Sequence, residues 1–371
     1  MLVGVMLTSA PAHGGPHSGP SPVCDRREQT TPEGIAAVVP LDSNPPWSKI
    51  QQAIDSPSIR GIMVQVRWSD LEPSERQFEW ATLDKIFKAA EGSRQWVHLA
   101  VFPGFFTPTW ALHGVRTRVF NVTYGPEHGT PLPLPMPWDQ TYLKRWYTFV
   151  RKVAERYGAS PAFRMIGAAG PTSESDEMTL PPGQLAAWVA QGYTAKKYLD
   201  AWNQTFVEFN ADFPNQCVSL SAPNLPMLGP GLPAPGGGSH TAERNAWRPW
   251  IVAMAKYVLG ERLAIQSNNL HAGQAAIESG DDTDFIISYN GKITTGFMMR
   301  GGTEGAVPSA VMGAAGDPPL ALQRSIDKGM APNAAGLHVD YLEIYLGDVT
   351  AANMQGVLSK TARRFERAPG N

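Results

Sequence analysis

The chain has 371 residues, 43% of them hydrophobic and 17% charged, with a formal net charge of −2. That is enough apolar chain for one large core, and a charge so near zero supplies no field to recruit nucleic acid or an anionic membrane surface. Eleven Trp and ten Tyr offer flat faces that fill a core or stack on sugar rings.

Residues 1–12 run MLVGVMLTSAPA, a short apolar stretch with small residues at Ala10 and Ala12. It resembles the back half of a secretion signal and is too short to span a bilayer. A secreted or periplasmic protein is therefore expected. Residues 13–33 are expected to form a linker and amino-terminal arm, opening on a Gly/Pro/Ser/His stretch without a packing pattern. Two cysteines occur, Cys24 and Cys217, either a pair that an oxidising compartment could join or two unrelated buried thiols.

From residue 34 onward, apolar runs of strand length alternate with segments of helical period, the pattern of a parallel α/β fold. The predicted strands are Ile35–Leu41, Gly61–Arg67, Trp96–Phe102, Phe163–Ala169, Cys217–Ser221, Leu263–Asn268, Ile293–Met298 and Val339–Tyr345. Between them lie helical patterns such as Tyr142, Trp146, Phe149, Val150, Val153 and Tyr157 on one face. Eight strand–helix units close a (β/α)8 barrel, here a single domain over residues 34–371. No Gly-rich dinucleotide fingerprint follows the first strand, which argues against an open doubly wound sheet. The long Gly/Pro loops follow strands, so they fall on the carboxyl face, where barrels build their sites.

Alternation along the second strand turns Val64 and Val66 to the helices and Gln65 and Arg67 inward. An inward arginine needs a carboxylate partner. On the third strand His98 opposes Val97, Leu99 and Val101; on the sixth, Gln266 and Asn268 oppose Ile265 and Ser267. On the eighth, Glu343 faces inward between Tyr341 and Tyr345, an expensive position unless the carboxylate is paired or works. No HExxH or other metal spacing, no G-x-S-x-G elbow and no P-loop occurs, so no cofactor is expected.

Arg67-Trp68-Ser69-Asp70-Leu71-Glu72-Pro73, followed by Phe78, Trp80 and Leu83-Asp84, resembles the strand-two signature of retaining glycoside-hydrolase barrels. Val101-Phe102-Pro103-Gly104 with Pro108-Thr109-Trp110 is similar to their strand-three end. Trp138-Asp139, Tyr142, Trp146 and Tyr157 resemble the helix before their acid/base strand. The resemblance implies hydrolysis of an oligo- or polysaccharide by two carboxylates, without cofactor, by a chain expected to be monomeric. It places the acid/base glutamate at the end of the fourth strand, in Gly170-Pro171-Thr172-Ser173-Glu174-Ser175-Asp176-Glu177. Glu174 matches best, with Ser173 where the family has Asn, and Glu177 and Asp176 compete for the role. Desolvation there would raise a carboxyl pKa into the range useful for protonating a leaving oxygen.

The family's nucleophile stands at the end of the seventh strand, where this chain reads Thr295-Gly296-Phe297-Met298-Met299-Arg300 with no acid. Glu343 is preferred as second carboxylate, with Glu304 in the loop beyond strand seven as the alternative. Arg67 is expected to keep that nucleophile ionised. His98, Gln266 and Asn268 are expected to bind sugar hydroxyls, and Trp110 and Trp138 to stack on sugar rings. The rival expectation is a carbohydrate-binding barrel that has lost its nucleophile.

Overall fold

The computed structural model describes residues 31–122, 127–181, 185–221, 240–273, 282–303 and 311–366, with the side chains of 185 and 240–246 left aside. Eight parallel strands close a barrel: β1 (Gly34–Pro40), β2 (Gly61–Arg67), β3 (Trp96–Phe102), β6 (Phe163–Gly167), β7 (Cys217–Ser221), β8 (Leu263–Leu270), β9 (Thr294–Met299) and β10 (Tyr341–Tyr345). The ring shuts where β1 pairs with both β2 and β10. These are the eight predicted strands, shifted by a few residues at some ends. The exception to the expected pattern lies in the long loop after β3. There Thr117–Asn121 (β4) and Pro131–Pro135 (β5) pair as an antiparallel hairpin, which the prolines on alternate positions concealed.

The outer ring includes α1 (Trp47–Ile54), α2 (Trp68–Leu71), α3 (Ala81–Gly92), α4 (Gln140–Tyr157), α5 (Leu185–Ala190), α6 (Ala195–Asp212) and α7 (His240–Leu259). It continues with α8 (Thr283–Ile287), α9 (Pro318–Gly329), α10 (Leu346–Thr350) and α11 (Gln355–Glu366). The apolar stripe of α4 is buried as its periodicity predicts, and Asp139 caps its first turn by accepting from Thr141 N and Tyr142 N. Among the described residues no helix is long and apolar enough to cross a membrane.

Inside, two apolar layers enclose a polar one. The lower layer, at the amino ends of the strands, is Ala36, Trp96, Met165, Cys217, Ala264 and Tyr341. The upper is Val38, Met63, Ala100, Phe102 and Met298. Gly296 makes room for the lower layer, since a Cβ there would sit 2.2 Å from the Tyr341 ring. Between the layers lie His98, Ser219, Gln266 and Glu343, all fully buried. Cys217 is fully buried in the lower layer; its expected partner Cys24 lies outside the described residues.

Candidate active site

The carboxyl mouth of the barrel is organised by the segment after β6. Tyr142 Oη donates to Gly170 O at 2.6 Å and Trp146 Nε1 to Ala169 O at 2.7 Å, so α4 holds the backbone as it leaves the strand. From the other side Phe105 N donates to Ser173 O at 2.7 Å. That approach requires Gly104, whose φ is +66° and whose Cβ, if it had one, would stand 2.0 Å from Ser173 O. The chain then returns to the barrel, and Glu177 bridges to Ser221 at the end of β7.

This path separates three neighbouring acids. Glu174 is buried in the loop, at 2% exposure. Asp176 points into the barrel over Gly167; its Oδ1 accepts from Asn268 Nδ2 at 3.0 Å, and its buried Oδ2 has no hydrogen-bond partner. Burial pushes its carboxyl up to about 6, opposed by His98 and assisted by the charge of Glu343. Glu177 alone of the three is partly open to solvent. Burial first, then the charges of Asp176, Asp282 and Glu174, push its carboxyl up to about 8. Asp282, the residue before α8, is paired with Arg248 of α7.

Beneath them runs a continuous polar chain. His98 Nδ1 lies 2.6 Å from Glu343 Oε1 and its Nε2 lies 3.0 Å from Ser219 Oγ. A carboxylate only accepts, so Nδ1 carries the proton toward Glu343 and Nε2 accepts from the serine hydroxyl in the neutral ring. Gln266 Nε2 donates to Asn268 Oδ1 at 2.7 Å and, more weakly, to Glu343 Oε2 at 3.4 Å. Tyr341 Oη donates to Gln266 Oε1 at 2.5 Å. Ser219, His98 and Glu343 have the connectivity of a nucleophilic triad, and all three are fully buried inside the barrel.

The structure thus brings His98, Gln266, Asn268 and Glu343 into one network, with Glu174 in the loop above. Other expected residues stand elsewhere. Arg67 pairs with Asp42 at 3.2 Å and Glu127 at 2.6 Å and stacks on Phe106, so it does not hold Glu343. The register explains this: Ala36 lies beside both Glu343 and Gly61, which leaves Arg67 six residues further along β2, roughly 20 Å away along the strand. Trp110 is half-buried; its Nε1 donates to Glu72 O and its ring makes an edge contact with Trp68. Trp138 likewise packs against Trp188 and Tyr193. Glu72, in the segment that carries the resemblance, is a structural staple, accepting from Trp68 Nε1 at 3.0 Å and Arg76 N at 2.9 Å. Glu304 lies outside the described residues. Ser219 and the Arg248–Asp282 pair were not anticipated. Alternation on the fifth strand marks Ser219 as inward, whereas nothing local signals a pair 34 residues apart.

By sequence, no protein-family model and no characterised protein matches the chain. By structure, it is similar to the crystal structure of a GH5_18 from Bifidobacterium longum subsp. infantis. The TM-score is 0.50 at 12% identity, over 91% of this chain and 80% of that one. At that identity the likeness establishes a shared barrel fold.

Proposed function

We propose that the protein is a glycosidase, with Glu177 in place of Glu174 as the proton donor and Glu343 as the second carboxylate. The observation that carries the reading is Glu177 itself. It is a partly open carboxyl at the carboxyl face of a closed barrel, raised to about 8 and so protonated at neutral pH. Glu343, in the polar layer inside the barrel, lies 2.6 Å from His98 Nδ1. Two acids in such different surroundings are what two-carboxylate hydrolysis uses. The glycoside-hydrolase fold of the structural neighbour and the Arg67-to-Pro73 resemblance support the same reading. Glu343 is fully buried beneath the upper apolar layer, so for it to act that layer and the Asp176–Asn268 contact must both move aside to admit substrate.

A second reading rests on one observation. Glu343 is fully buried, and the end of β9 carries Met298, Met299 and Arg300 without an acid. A carbohydrate-binding barrel without a nucleophile would look the same. A polysaccharide panel assayed for released oligosaccharides, with aryl glycosides alongside, separates the two. Glycosidase action predicts turnover by the parent. Glu177→Gln should lose roughly 10²–10⁴-fold on natural glycans and far less on activated aryl glycosides, whose leaving groups scarcely need a proton. Glu343→Gln should lose both. Binding without turnover of any glycan establishes the second reading.

A further inference from the structure

The end of the seventh barrel strand, where an acid would be expected, presents a cation. Along β9, Gly296 faces the Tyr341 ring and Met298 enters the upper core layer, so the next inward position is Arg300. Its backbone is tied on both sides. Arg300 N donates to Leu270 O at 3.0 Å. Three residues on, Thr303 N and Oγ1 donate to the buried Asp348 carboxylate at 2.8–3.0 Å. The side chain is exposed, with Nη1 3.5 Å from Nε2 of buried His271.

Two other charged groups at the mouth have partners of opposite sign. Arg67 has Asp42 and Glu127, and Asp282 has Arg248. Asp176 is held by Asn268. Among the described residues, no carboxylate pairs with Arg300. A guanidinium presents a planar fork of donors that matches a carboxylate bidentately. On a backbone bonded at Leu270, such a fork is open to an anion at the barrel's carboxyl face.

Resting on the glycosidase reading, we infer that the substrate is an acidic glycan and that Arg300 binds a uronate carboxylate. Neutral glycans leave the guanidinium hydrated and gain nothing from it. Uronate at this rim would lie on the β8–β9 side of the mouth.

The test compares the full chain with Arg300→Met and Arg300→Lys on oligogalacturonides and hyaluronan oligosaccharides, against cello- and xylo-oligosaccharides. Both turnover and equilibrium binding are measured, at low and high salt. The parent should favour a uronate ligand. Arg300→Met should raise its KM or Kd roughly tenfold or more, equivalent to about 1.4 kcal/mol, with kcat little changed and the salt dependence reduced. Arg300→Lys should recover part of the loss. Equal action on neutral glycans, untouched by Arg300→Met, overturns this inference and leaves the glycosidase reading standing. Uronate binding that is lost in Arg300→Met, without turnover of any glycan, supports the inference and overturns the glycosidase reading.

Discussion

His98 Nδ1 and Glu343 Oε1 stand 2.6 Å apart in the middle of the barrel, with neither side chain exposed to solvent. The two residues are 245 positions apart and come from strands that are not neighbours in the sheet. Their contact crosses the interior, with Ser219 and Gln266 bonded to the pair and Tyr341 bonded to Gln266. A buried pair of this kind costs desolvation but becomes expensive to break, because removing one partner strands the other.

Glu343→Ala should therefore destabilise the fold by about 3–5 kcal/mol, and His98→Ala by a comparable amount. The double variant should lose less than the sum, since no orphaned partner remains. Urea unfolding of the parent, both single variants and the double variant tests this. Losses below about 1 kcal/mol in the single variants would mean that the pair contributes little to the fold.

The pH dependence follows from Glu177 and Asp176. Both carboxyls are raised in the folded chain, to about 8 and about 6, so the folded state binds more protons than the unfolded one between the ordinary carboxylate range and those values. Their contribution to stability is greatest below the ordinary carboxylate range and is lost as pH rises through about 6 and then about 8. Glu177→Gln, which has no charge to bury, should melt a few degrees higher than the parent at alkaline pH, and the difference should vanish in acid. If Glu177 is the proton donor proposed above, activity of the parent should decline as pH rises through about 8 and that carboxyl ionises. Parallel melting curves and rate profiles across pH measure both effects.

Gly104→Ala should be costly because of its backbone geometry. A Cβ would meet Ser173 O at 2.0 Å, and the positive φ adds strain of about 1–3 kcal/mol. The loop from Gly170 to Glu177 must then move, so activity should fall together with stability. An alanine variant with unchanged melting temperature and rate would show that the loop is not fixed from this side.

Cys24 and Cys217 are predicted to be joined, tying the amino-terminal arm to the lower layer of the barrel, in keeping with the proposed export. Such a bond closes a long loop and should contribute roughly 2–4 kcal/mol. Thiol titration of the denatured, unreduced protein should find no free thiol. Two free thiols would remove the crosslink and with it one support for an oxidising compartment.

Much of the barrel was legible in the chain because each strand–helix unit announces itself locally. Apolar runs of strand length were separated by helical stripes such as that of α4, and alternation alone turned His98, Gln266, Asn268 and Glu343 inward. What alternation lacks is height along the barrel axis. Arg67 and Glu343 share a facing direction, but strand register sets them far apart, and each found a different partner. Trp110 and Trp138 read as rings in loops, and only packing shows them engaged with Trp68 and Trp188.

Among Glu174, Asp176 and Glu177, residue type is uninformative, since each is a carboxyl in the same short loop. Their difference arises where the chain leaves β6, is pinned by Tyr142, Trp146 and Phe105, and rejoins the barrel at Ser221. That path buries one acid, aims the second into the barrel and leaves the third at the mouth beside Asp282. Local pattern is encoded by neighbours in the chain and so determined the strands and their faces. Register, depth and the electrostatic surroundings of a carboxyl depend on residues far away in sequence, and the closed barrel decided them.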